Sequence, residues 1–152
     1  MAFTSYASNL VAGDTNGTGD VFVRDWKAQV TRRVSVGSGG QQANSYSFGT
    51  ISANGRFVAF ASYASNLVAG DTNGHSDVFV RDRKAQVTRR VSVGPGGHQA
   101  NGGSYDPAIS AGGRFVAFAS VASNLVAADF NGHSDVFVRD RVARVTRRVS
   151  VG

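Results

Sequence analysis

The residues best suited to chemistry lie in a loop that occurs three times. In residues 70–77, aspartate or asparagine occupies the first, third and seventh positions counted from Asp71, around Gly74. Oxygen-bearing side chains at alternate positions suit a hard cation such as Ca²⁺, which takes six to eight oxygen ligands. The candidate calcium ligands in the three loops are Asp14, Asn16, Asp20, Asp71, Asn73, Asp77, Asp129, Asn131 and Asp135.

The same loop has a second interpretation that needs no metal. It has no acidic residue at its fifth position and no glutamate at its twelfth, so it is not a complete calcium loop. Asp71 and Asn73 would instead form turns with their own backbone, Gly74 would supply a positive φ, and Asp77 would begin a strand. Both interpretations remain open at this stage, with calcium as the one possible cofactor.

Two polar segments, 38–46 and 95–105, connect neighbouring copies of the repeat and are rich in Gly, Gln, Asn and Ser. Connecting loops often carry binding functions. Their amide and aromatic side chains could bind a polar ligand, or the amides could satisfy backbone groups of the loop itself. The candidate ligand-binding residues are Gln41, Gln42, Asn44, Tyr46, His98, Gln99, Asn101 and Tyr105.

The composition argues against an enzyme. All 10 acidic residues are aspartates, there is no cysteine, and no serine lies in a nucleophile elbow. His75, His98 and His133 lack the paired spacing of a zinc site. We therefore predict a protein without catalytic residues.

A net charge of +6 comes from 16 basic and 10 acidic side chains, and the arginines recur at fixed positions. Asp82 and the Arg89–Arg90 pair would lie on adjacent strands of a hairpin, where exposed cross-strand ion pairs are expected. A basic rim that binds a polyanion, such as nucleic acid or an acidic glycan, is the alternative. The chain has no lysine-rich run and no nucleic-acid motif, which argues against nucleic acid.

These residues are positioned by a repeat. Residues 3–37, 60–94 and 118–152 are near-identical copies, and residues 38–59 and 95–117 join them. Each full period contains four β-rich runs with turn residues between them, at 49–52, 56–62, 78–82 and 87–93 in the middle period. Helical periodicity is absent. Four antiparallel strands per period predict an all-β fold made of propeller blades.

The repeat resembles that of the TolB-type β-propeller family, which is a WD-repeat-like fold. The resemblance rests on the turn Ser52–Arg56 and on the strand sequences Phe57–Ser62, Asp77–Asp82 and Thr88–Val93. Asn54 replaces the acidic residue that is usual in that turn. The resemblance implies a non-catalytic binding module of a bacterial family that is often periplasmic or secreted. No signal peptide is recognisable in these residues, and localisation stays open.

We predict a partial blade at 1–37 with strands two to four, and full blades at 38–94 and 95–152. Because propellers close with about four to eight blades, three blades require oligomerisation, and two chains give the six blades usual in the family. The expected partners are therefore the chain itself, most simply as a homodimer, and a protein or glycan ligand. Two alternatives are a lectin-like or polyanion-binding propeller with equivalent sites on each blade, and a calcium-stabilised structural propeller. No apolar run is long enough to predict a membrane span.

Overall fold

The computed structural model describes residues 1–151, which form three antiparallel sheets. The first sheet has three strands, β1 Ala2–Ser5, β2 Asp20–Asp25 and β3 Val30–Arg33. The second has four, β4 Ser47–Ile51, β5 Phe57–Ser62, β6 Asp77–Asp82 and β7 Val87–Arg90. The third also has four, β8 Ser104–Ile109, β9 Phe115–Ser120, β10 Asp135–Asp140 and β11 Val145–Arg148. Strands follow one another in chain order within each sheet, as in propeller blades, and we number the blades 1 to 3.

The strand boundaries differ from the predicted ones at both ends of the blade. The inner strand begins earlier, at Ser47 rather than Gly49, because Ser47 pairs with Ser62 of β5. The outer strand ends earlier, at Arg90 rather than Val93. Beyond Arg90 the chain leaves the sheet, and Val93 forms an isolated bridge with Gln99 of the connector.

The inner strand of blade 3 departs from that of blade 2. Tyr105, the last residue of the connector 95–105 as predicted from the sequence, is the second residue of this strand. The register between β8 and β9 shifts between Tyr105 and Ala108, where Asp106 adopts φ 51°. Asp106 is followed by Pro107, which has no N–H to donate to the ladder, and a bulge accommodates it.

The apolar core lies between blades, and each blade has two unlike faces. Small residues of blade 2 pack against larger residues of blade 3, and the same arrangement joins blade 1 to blade 2. The small-residue face of blade 2 is formed by Ala59, Ala61, Val78, Val80 and Val91. The large-residue face of blade 3 is formed by Val116, Phe118, Leu125 and Phe137. Phe118 and Phe137 stack with ring centroids 6.0 Å apart.

The helical content of residues 1–151 is a single 3₁₀ turn at Pro95–Gly97 in the second connector. Within this described part of the chain, no helix has the length and apolar character needed to cross a membrane.

The predicted pairing of Asp82 with the arginines of the outer strand is wrong. The Asp82 carboxylate instead binds Arg56, with 2.6 Å between Arg56 Nη2 and Asp82 Oδ2. It also accepts hydrogen bonds from the backbone N–H groups of Lys84 and Ala85. The Arg56 guanidinium holds the pKa of Asp82 down at about 2. Register explains the difference: Asp82 lies opposite Val87, at the end of the hairpin, whereas Arg90 lies opposite Phe79.

Candidate functional site

Each of the three repeated loops contacts an arginine from the outer strand of its own blade. In blade 2, Arg90 Nη1 lies 2.9 Å from Asp77 Oδ2, 3.4 Å from Asp71 Oδ1 and 2.7 Å from Gln99 Oε1. The Arg90 side chain is 8% exposed, and those of Asp71 and Asp77 are 4% and 0% exposed. We call Arg90, Asp71 and Asp77, together with Asn73, the clamp of the blade, and Gln99 comes from the connector that follows it.

Strand ends position the buried carboxylate of the clamp. Asp77 is the first residue of β6, and its Oδ1 accepts the Ser92 hydroxyl at 2.5 Å while its Oδ2 accepts the Asn73 amide at 2.9 Å. The same hydroxyl accepts the backbone N–H of Val78. A buried carboxylate needs this many donors, because an unpaired charge is costly away from water.

The connector that follows each blade closes the clamp. Gln99 Nε2 donates to the Gly70 carbonyl at 2.8 Å and to the Thr72 hydroxyl at 3.0 Å, while its Oε1 accepts the Thr72 N–H. Asn73 Nδ2 also donates to the Ala100 carbonyl at 3.0 Å. The clamp therefore holds the connector by hydrogen bonds to both side chain and backbone.

Blade 1 repeats the arrangement. Arg33 Nη1 lies 2.8 Å from Asp14, 3.2 Å from Asp20 and 2.8 Å from Gln42, and Asn16 donates to both the Asp20 carboxylate and the Ala43 carbonyl. Blade 3 has the arginine, the aspartates and the asparagine of this arrangement, but no glutamine within residues 1–151.

In blade 3, Arg148 Nη1 lies 2.9 Å from Asp129 and 3.3 Å from Asp135, and Asn131 donates to Asp135. No glutamine among residues 1–151 closes this clamp, and the Arg148 side chain is 25% exposed. Hydrogen bonds from Ser150 and Asn131 lower the pKa of Asp135.

The clamp places a guanidinium where the sequence suggested Ca²⁺. The Asn73 amide directs its nitrogen, not its oxygen, at Asp77, and its oxygen accepts the His75 N–H. Within residues 1–151, no three histidine or aspartate side chains are grouped so that they could hold a metal ion. Burial raises the pKa of Asp71, against the opposing effect of Arg90. The arginines and serines were not identified from the sequence, although their recurrence in every copy could have indicated them.

We expect Ca²⁺ to leave this chain unchanged, because each pair of loop carboxylates already faces an arginine. Titration with millimolar Ca²⁺ in a calorimeter should give no heat beyond dilution, and Tm should be the same in Ca²⁺ and in chelator. Mg²⁺ at equal ionic strength is the control. A Ca²⁺-specific rise in Tm would restore the calcium interpretation.

The other end of each connector binds the next blade. Asn44 donates its amide to Ser65 Oγ at 3.1 Å, and Asn66 donates to the Gln42 carbonyl at 2.7 Å. In blade 3, Asn101 correspondingly donates its amide to Ser123 Oγ at 2.9 Å, and Asn124 donates to the Gln99 carbonyl at 2.8 Å. Gln42, Gln99, Asn44 and Asn101 thus bond to loops of the neighbouring blades, and these bonds do not go to the backbone of the connector itself.

The remaining connector candidates lie apart from the clamps. Gln41 donates to the Asn66 carbonyl, and His98 is exposed directly after the 3₁₀ turn. Tyr46 stacks on Tyr6 with centroids 5.6 Å apart. The Tyr105 hydroxyl lies 3.3 Å from that of Tyr63.

Solved structures share this arrangement of blades. TolB from Acinetobacter baumannii superposes with a TM-score of 0.55 at 14% identity over 89% of this chain. A second structure described as TolB, from Agrobacterium tumefaciens, gives 0.53 at 17% identity over 88%. The chain has the fold of a TolB-type propeller. It spans only 27% and 42% of those two chains. No family model and no curated protein matches the sequence.

In this TolB-type arc, arginines also line the grooves between blades. A groove of about 620 Å³ between blades 2 and 3 is lined by Arg89, Arg90, Arg139, Arg141 and Arg144. Burial lowers the pKa of Arg139 and of Arg141, and neighbouring arginines lower them further. The ion pairs formed within residues 1–151 do not include Arg89 or Arg144.

One interpretation of the sequence placed the arginines of these strands in exposed cross-strand ion pairs. At least one of them is buried instead. Arg81 is 3% exposed and donates to the Gly37 carbonyl, Thr88 Oγ1 and Gln86 Oε1. It therefore holds the start of the connector against the outer strand, and desolvation lowers its pKa.

Proposed function

We propose that the chain is a non-catalytic binding scaffold whose ring closes when two copies associate into six blades. The observation that carries this proposal is the small-residue face of blade 3. Val136 and Val149 are 42% and 50% exposed, whereas the equivalent Val78 and Val91 of blade 2 are 0% and 3% exposed. A contiguous apolar face of this kind is typical of an interface.

Blade 1 offers the complementary surface. Its large-residue face contains Met1, Phe3 and Leu10, which are half-buried or exposed, although their equivalents in blade 2 are fully buried. The two unlike faces that pack at each internal junction are thus both available on one chain. Two copies related by a two-fold axis would bury both faces of both chains.

The solution mass tests this proposal. At micromolar concentration, light scattering should give twice the chain mass of 15.9 kDa. A species at 15.9 kDa that persists at 100 μM would overturn the homodimer. A mass of three or more chains would retain self-association but exclude the six-bladed ring.

A polyanion such as an acidic glycan is a second candidate ligand, and the arginine groove between blades 2 and 3 favours it. Five guanidinium groups line this groove, and of these only Arg90 is paired with a carboxylate within residues 1–151. Arg139 and Arg141 donate to neutral oxygens, those of the Thr146 hydroxyl and the Gly113 carbonyl. Arg89 and Arg144 form no ion pair within residues 1–151. Partly desolvated arginines bind sulfate and carboxylate groups through paired hydrogen bonds. The predicted lectin-like alternative would place its ligand in this groove.

A sulfated oligosaccharide should bind the chain, and its desulfated form should not. Replacing Arg89 and Arg144 together with glutamine should weaken binding about tenfold or more, because two charge-assisted contacts are lost. Lys27 and Lys84 changed together to glutamine remove the same charge outside the groove and serve as the control. Equal weakening by both double variants would indicate general charge attraction and would exclude a site in the groove.

A further inference from the structure

The clamp of blade 3 is assembled but unfilled. Its arginine, aspartates and asparagine are paired as in the other two blades. The residues that connectors cover elsewhere are open here: Val151 is 69% exposed, whereas the equivalent Val36 and Val93 are 9% exposed. The part of the chain that the structure describes contains two connectors, and both are bound to the clamps of blades 1 and 2.

The two filled clamps define what the third one fits. In both, a glutamine side chain bridges the arginine and a loop carbonyl. The alanine that follows offers its backbone carbonyl to the clamp asparagine. The glutamine backbone bridges to the valine after the outer strand. The occupant is therefore an extended polypeptide in which glutamine is followed by alanine.

We propose that the clamp of blade 3 is a binding site for a polypeptide segment of the connector type, with the pattern Gly-x-Gln-Ala-Asn, supplied from outside these 152 residues. The segment places its glutamine between Arg148 and the Ala128 carbonyl. It places the next carbonyl on Asn131 and covers Val151. The connectors of a second copy do not supply it, because the Gln42 and Gln99 of that copy are held in its own clamps.

One residue distinguishes this site from its two filled counterparts. Phe130 replaces Thr15 and Thr72, whose hydroxyl groups each accept a hydrogen bond from the glutamine. The Phe130 side chain is 89% exposed. The segment thus loses one acceptor, but the backbone N–H of Phe130 remains in the position that donates to the glutamine in the other blades.

A synthetic peptide with the sequence of residues 36–46 tests the proposal on the intact chain. The peptide should bind with a stoichiometry of one per chain, measured by calorimetry. Changing the glutamine at its position 42 to alanine should weaken binding about tenfold or more, because a hydrogen bond to a charged group is lost. Changing the neighbouring glutamine at position 41 is the matched control and should have a smaller effect, since in blade 1 that side chain contacts the next blade.

A double-mutant cycle locates the peptide. Arg148→Ala in the chain should lower the affinity for the unchanged peptide. It should leave the affinity for the peptide with alanine at position 42 nearly unaltered, because both changes remove the same contact. Circular dichroism of the variant checks its folding, and the peptide variants test the proposal independently of it. Absence of binding at 1 mM peptide, equal effects of the two glutamine changes, or independent effects in the cycle would each overturn the proposal.

Discussion

Replacing Arg90 with methionine should lower the free energy of unfolding by about 3–5 kcal/mol. The change keeps most of the side-chain volume but removes the cation that faces Asp71 and Asp77. Both carboxylates are almost fully buried, and Gln99 loses its charged donor as well. Removing one partner of a buried ion pair is costly because the remaining charge is left without compensation. Urea unfolding followed by circular dichroism measures the effect.

The same substitution at Arg148 is the matched control. Arg148 binds the equivalent aspartates, but its side chain is 25% exposed and no glutamine of residues 1–151 reaches it. Water can solvate the carboxylates of blade 3 after the change, so Arg148→Met should cost clearly less than Arg90→Met. An equal decrease in the free energy of unfolding for the two variants would contradict the view that the clamp stabilises the fold because a connector covers it.

Introducing arginine at Val136 should dissociate the proposed homodimer. Val136 is on the small-residue face of blade 3, and its equivalent Val78 is fully buried against the next blade. A guanidinium without a partner cannot be buried in such a junction without a large desolvation cost. The dissociation constant should rise at least about a hundredfold, measured by sedimentation equilibrium over a concentration series.

Val142→Arg provides the comparison for that experiment. Val142 is 73% exposed in the turn between β10 and β11, away from the small-residue face. The substitution adds the same charge to the same blade and should leave the solution mass of the homodimer unchanged. Dissociation by both variants would show that charge, and not the face, controls association. Dissociation by neither would exclude this face from the interface.

The repeat allowed the fold to be predicted because local signals recur in every copy. Turn residues such as Asn54 and Gly55 and the β-rich runs that follow are read directly from a short window of sequence. The ends of the strands were less predictable. Val93 is a β-branched residue like those of the strand before it, yet it lies outside the sheet and pairs with Gln99 in an isolated bridge.

The clamp was only half predicted, for a related reason. The sequence drew attention to Asp71, Asn73 and Asp77, and these do lie together. It did not indicate that Arg90 completes the group, because Arg90 lies 13 residues beyond Asp77 and only strand pairing brings the two together. An arginine in an outer strand is more often a solvated edge residue, and nothing local distinguishes it from Arg89.

Each connector bonds backward to one clamp and forward to the next blade, so all internal junctions have the same chemistry. Deleting residues 38–94 would bring Gln99 into reach of Arg33, with Asp14 and Asp20 unchanged around it. Loss or gain of one period therefore leaves no junction mismatched. A gene encoding such a chain can change its number of blades by unequal recombination between copies, and the products keep compatible contacts at every seam.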